Sequence, residues 1–131
     1  MPKQRAHRDE PAPGPDSLIL RGYPLTHEVL CANARDNHDV YGFFGVSVFR
    51  ADTATGVDVV CSTKLRAQAR VALFRIPDLL ANGLMLWPTG AAPHYDLVHG
   101  SDSEEADDLV TRILITAWTE HLNPHHREGE G

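Results

Sequence analysis

The stretch that most restricts what this chain can fold into runs from 84 to 100, Leu-Met-Leu-Trp-Pro-Thr-Gly-Ala-Ala-Pro-His-Tyr-Asp-Leu-Val-His-Gly. Short apolar and aromatic runs broken by Pro and Gly mark two strands joined by a turn. Successive side chains of a strand point to opposite faces, so His94, Asp96 and Val98 share one face of the second strand. Tyr95, Leu97 and His99 share the other. One of these faces can be core and the other a site.

Three further segments read as strands. Ser17-Leu-Ile-Leu-Arg-Gly-Tyr23 is the first, and Val71-Ala-Leu-Phe-Arg-Ile76 is a later one. Between them, Tyr41-Gly-Phe-Phe-Gly-Val-Ser-Val-Phe-Arg50 places Val46, Val48 and Arg50 on one side and Ser47 and Phe49 on the other. Thr26 has the position of a helix N-cap, Leu25 and Leu30 have hydrophobic-staple spacing, and Asn37 is a plausible stop. Ser62 or Thr63 can cap a short helix carrying Lys64, Arg66 and Arg70, and residues 77–83 read as one or two helical turns closed by Asn-Gly. Ser101 and Glu104 have capping-box spacing before a helix whose stripe is Val110, Ile113, Leu114, Ala117, Trp118 and His121. These elements predict an α+β fold. A single compact domain over 17–123 would hold a mixed sheet of about five strands with two or three helices packed on it. Residues 1–16, with Pro2, Pro11, Pro13 and Pro15, read as a disordered N-terminal tail, and 124–131 as a flexible C-terminal one.

A chain of 131 residues suffices for one core. Its formal charge of −6 argues against general nucleic-acid binding, which needs a basic footprint. No apolar run approaches the ~20 residues of a membrane span, and the polar first ten residues are unlike a secretory leader. Cys31 and Cys61 read as reduced, buried small hydrophobes, so the expected compartment is cytoplasmic. Basic residues are mostly Arg and Ala is common, the usage of a GC-rich bacterial genome. Lys64, Arg66, Arg70 and Arg75 form a basic run that reads as a solvated face or as a strip steering a nucleotide. His121, His125 and His126, like the two cysteines, lack metal-site spacing, so no metal is expected.

The residues able to carry chemistry are few. His94 and His99 with Tyr95 between them are types that can act as general base and acid on a ribose 2′-hydroxyl. Arg21-Gly22 at a strand end can clamp a phosphate where backbone must come close. Ser47, among Phe and Val, needs a hydrogen-bond partner if buried.

Two local patterns resemble the ADP-ribosyltransferase fold of small bacterial toxins. Leu18-Ile19-Leu20-Arg21-Gly22 is similar to that family's opening strand, and Tyr41-Gly42-Phe43-Phe44-Gly45-Val46-Ser47-Val48 to its second conserved strand. The resemblance implies NAD as cofactor, held by Arg21 and Gly22, with Tyr41 and Ser47 lining a nicotinamide pocket. The family supplies a late-strand glutamate; this chain offers His94, Tyr95 and Asp96 there, which become the implied catalytic residues. The leading expectation is therefore an NAD-using toxin or effector. A metal-independent ribonuclease using His94 and His99 is an alternative. So is a non-catalytic module of antitoxin or adaptor type, whose acidic stretch 102–108 meets a basic cognate protein.

Overall fold

The computed structural model describes residues 12–99 and 106–126. In chain order the elements are β1 (Leu18–Gly22), α1 (His27–Tyr41), β2 (Val46–Ala51), α2 (Ala54–Thr63), β3 (Arg70–Arg75), α3 (Ile76–Ala81), β4 (Leu84–Pro88), β5 (His94–His99), α4 (Ala106–Ile115) and β6 (Trp118–Leu122). The strands build one six-stranded sheet in the order β4-β5-β2-β1-β3-β6. The expected α+β class and single domain are observed. The sheet differs from expectation in being antiparallel at every pairing rather than mixed. It also has one strand more than anticipated, and among the described residues four helices accompany it.

Local chemistry sets the element boundaries. The Thr26 hydroxyl accepts from the Val29 N–H at 3.2 Å, capping α1 as expected, and Leu25 and Leu30 are both buried beside it. The helix does not stop at Asn37. That side chain points inward and donates to the Gly45 carbonyl at 2.6 Å, so the helix continues to Gly42, whose left-handed φ of 85° ends it. Tyr41 is consequently the last residue of α1, not part of the approach to β2.

Helix α2 lies one turn or more before the expected position. Thr53 caps it by accepting from the Gly56 N–H at 2.9 Å. The Ser62 and Thr63 hydroxyls bond back to the Val59 carbonyl at 3.1 and 2.7 Å, marking the end of a helix rather than its start. At the C-terminal side, α4 stops at Ile115, and Trp118–Leu122 pairs with β3 through Phe74↔Trp118 and Val71↔His121. The expected helix through His121 is thus a shorter helix and a strand. The uncovered edge of β3 is what decides this, since it offers a complete ladder to the segment that follows. The capping pair Ser101 and Glu104 lies outside the described residues, as do 1–11 and 127–131.

Alternation along the strands divides the core between the two faces of the sheet. Ile19, Val48, Phe74, Tyr95 and Leu97 meet α1 and α4 residues, among them Leu30, Leu109 and Ile113. On the opposite face, Leu20, Val71 and Leu73 meet Val60, Cys61 and Leu65 of and after α2. Helix α2 is only ten residues long and cannot span that face, which leaves part of it open.

Candidate functional site

At the end of β1 the sheet separates slightly, and polar side chains of α1 fill the gap. The β1–β2 ladder is assigned only as far as Leu20↔Phe49. Beyond it, the Ser47 N–H donates to Asn33 Oδ1 at 2.9 Å instead of to a strand partner. Arg21 NH1 donates to the Ser47 carbonyl at 2.8 Å and to Asn33 Oδ1 at 3.2 Å. Its Nε is buried with no partner, and burial pulls the guanidinium pKa down. The two acceptors on Arg21 are neutral; no carboxylate faces it among the described residues.

The adjacent carboxylate is Asp96 on β5, fully buried opposite Ser47. The Thr89 hydroxyl donates to its Oδ2 at 2.6 Å, and Asn37 Nδ2 donates to its Oδ1 at 3.3 Å, with the Ser47 hydroxyl at 3.5 Å. His94 Nδ1 lies 3.0 Å from the Thr89 carbonyl oxygen. A carbonyl can only accept, so Nδ1 carries the hydrogen in that contact. The chain of contacts from Asn37 through Asp96 and Thr89 to His94 joins α1, β5 and the β4–β5 turn.

Several of the expected site residues thus meet, but not around one cleft. Arg21 shares the α1 face of the sheet with Ile19, whereas His94 packs edge-on against Phe49 on the α2 face. A nucleotide cannot touch both side chains from one side. Tyr95 is buried in the α1–α4 core, where its hydroxyl accepts from Arg50 NH1 at 2.9 Å. His99 lies five residues from His94, about 16 Å along the strand, on the opposite face, with Nδ1 2.9 Å from Asp108. The two histidines cannot act as an acid–base pair on one substrate. Gly22 does permit a close approach, but to the side chain of Gln68. Tyr41, at the end of α1, is separated from the site by the turn into β2.

A separate opening lies on the α2 face, in the part that helix leaves uncovered. A groove of about 690 Å³ runs between α2 and the β3–β6 edge. Leu18, Val57, Cys61, Val71 and Leu73 provide an apolar wall and floor. Arg75, Asp78, Asp58, Thr119 and His121 supply the polar rim. Asp58 is bonded by His125 Nε2 at 2.5 Å, and Thr119 Oγ1 lies 3.0 Å from His121 Nε2. Arg75 is exposed and forms no ion pair among the described residues. Its volume lies within the ~300–1,000 Å³ of small-molecule sites. Sequence reading missed these residues as a set because they come from five separated elements, and because residues 118–122 carried a helical apolar pattern. Arg75 alone was signalled, as one of four basic residues.

No protein-family model matches this chain, and no match is found among curated proteins or solved structures. The functional reading therefore rests on geometry. No helix among the described residues is long and apolar enough to cross a membrane.

Proposed function

We propose that the protein is a non-catalytic binding module for a small amphiphilic molecule, held in the groove between α2 and β6. The observation that carries this reading is the groove itself: an apolar floor of small-molecule size beside an exposed arginine, Arg75, that has no carboxylate partner among the described residues. An apolar body would displace water from the part-exposed Leu18 and Val57, at roughly 25 cal/mol per Å² of surface covered. An anionic head would meet Arg75, with Thr119 and His121 as further hydrogen-bond partners. Among the described residues of the groove, the hydroxyl–imidazole contact of Thr119 with His121 is exposed to solvent and no carboxylate pairs with the imidazole, which favours binding over catalysis.

A second reading, a transferase-type protein using NAD, is favoured by Arg21. A half-buried guanidinium with only neutral acceptors is suited to a phosphate. In this reading Arg21 holds the pyrophosphate on the α1 face, and the buried Asp96 network fixes β5 and α1 around it.

One titration separates the two. The fluorescent sulfonate 1-anilinonaphthalene-8-sulfonate combines an apolar body with an anion and serves as the groove probe, while NAD tests the other face. The groove reading expects saturable probe binding, read from the rise in the probe's own fluorescence. Val57→Trp, which fills the groove, would abolish it, and Arg75→Ala would weaken it by about tenfold, the ~1.4 kcal/mol expected of one charge-assisted contact. Probe binding unchanged in both variants overturns this reading. Thermal stabilisation by NAD that is lost in Arg21→Ala supports the second reading, and no shift with NAD removes it.

A further inference from the structure

Far from the groove, on the side of the sheet covered by α1 and α4, three metal-ligating side chains converge. His27 and Cys31 are four residues apart on α1, so they lie one above the other on one face of the helix. Asp107, in the first turn of α4, reaches them from the neighbouring helix. His27 Nε2 is 2.9 Å from Asp107 Oδ1, Cys31 Sγ is 3.6 Å from the same oxygen, and Cys31 Sγ is 3.7 Å from each nitrogen of the His27 ring. The three ligand atoms lie within 4.8 Å of one another.

From these distances we infer that His27, Cys31 and Asp107 form a binding site for a thiophilic divalent cation of the zinc type. A tetrahedral ion with bonds of about 2.3 Å to sulfur and about 2.0–2.1 Å to nitrogen and oxygen holds its ligand atoms roughly 3.3–3.6 Å apart. Two of the three edges here already match to about 0.1–0.4 Å; the third needs the exposed His27–Asp107 contact to open by a few tenths of an ångström, and the His27 ring, whose two nitrogens are equidistant from Sγ, must turn to aim one of them at the ion. Side chains that are 54% and 61% exposed can make that adjustment without disturbing the core. Cys31 itself is anchored by burial, so it acts as the fixed corner of the site.

The donor set also selects the ion. A thiolate and an imidazole favour zinc or cobalt over magnesium or calcium, which take oxygen ligands. Thiolate and carboxylate together balance the two positive charges of the cation. Binding forms the metal–sulfur, metal–nitrogen and metal–oxygen bonds and releases the thiol proton to solvent. Three protein ligands leave one coordination position for water, and the exposure of His27 and Asp107 puts it at the surface.

Cobalt is the test because a cobalt–thiolate bond is seen directly in absorption. Titrating the reduced protein with Co²⁺ should give a sulfur-to-cobalt charge-transfer band in the near ultraviolet, with the intense visible bands of tetrahedral cobalt, and Zn²⁺ should bleach both. Cys31→Ser should remove the charge-transfer band, while Cys61→Ser on the other face should leave it intact. Asp107→Asn, at an exposed position that the fold tolerates, should weaken Co²⁺ binding by at least ~10-fold, since even outer-shell partners of metal ligands contribute about 10–100-fold. Three results would overturn the inference: no charge-transfer band in the unmodified protein, a band that survives Cys31→Ser, or equal affinity in Asp107→Asn.

Discussion

Asp52 shows how much of the behaviour of single residues here comes from their hydrogen bonds. Arg50 Nε donates to it at 2.9 Å and the Ser17 hydroxyl at 2.7 Å, and these bonds hold its carboxyl below the usual range against a smaller opposing effect of burial. Because the folded pKa is depressed, the associated stability is fully present above the unfolded value of about 3.9 and is lost as pH falls from there through the folded pKa. The Asp52 side chain is half exposed, so the contribution is that of a partly screened pair, up to ~1 kcal/mol. Asp52→Asn should lower the urea midpoint at pH 7, and its difference from the unmodified protein should shrink below about pH 4. A difference independent of pH would mean that the carboxylate charge plays no part. Burial acts in the other direction on Cys31, raising its thiol pKa, with the hydrogen bond and charge of Asp107 adding to the effect.

Among the elements, α1 does most to organise the seam of polar contacts. It carries Asn33, which accepts from the Ser47 N–H, and Asn37, which donates to the Gly45 carbonyl, and it must run at least three turns to deliver both. The end of that run is set by Gly42, whose φ of 85° lets its N–H reach the His38 carbonyl. Any L side chain is disfavoured in this conformation by roughly 1 kcal/mol. Gly42→Ala should therefore lower unfolding free energy by about that amount, measured by chemical denaturation, with the Asn37 hydrogen bond to Gly45 the contact most exposed to the change. An effect near zero would show that the helix can end elsewhere without cost.

For the molecule as a whole, the two sheet faces are unequal. The α1–α4 face is the larger core, with Ile113, Leu109, Leu30 and Phe74 fully buried, whereas α2 covers its face only in part. Ile113→Ala should cost about 2–5 kcal/mol in denaturant unfolding, while Val59→Ala on the outer side of α2, where the residue is 53% exposed, should stay within about 0.5 kcal/mol. Similar losses at both positions would mean that α2 packs more tightly than its exposure indicates. The same inequality creates the groove: a helix too short for its sheet leaves Val71 and Leu73 to form a floor.

Much of the framework is written in local sequence. Thr26 with its staple, the β4–β5 hairpin, and the strands at 18–22, 46–51 and 70–75 follow from caps, Pro and Gly punctuation and period-two alternation, which act over a few residues and need no partner. The same alternation separates Arg21 from His94, because faces become comparable once the strands are paired in register. Other features depended on the assembled molecule. Residues 118–122 satisfy a helical stripe and a strand pattern equally well, and the open edge of β3 chose the strand. Ser62 and Thr63 suit either end of a helix, and the burial of Val60 and Cys61 against the sheet fixed them at its end. The groove, and the approach of Asp107 to the His27–Cys31 pair, were decided by tertiary structure. The i, i+4 spacing places the pair on one helix face, but the groove residues and Asp107 are far apart along the chain, and only the packing of helices on a common sheet brings them together.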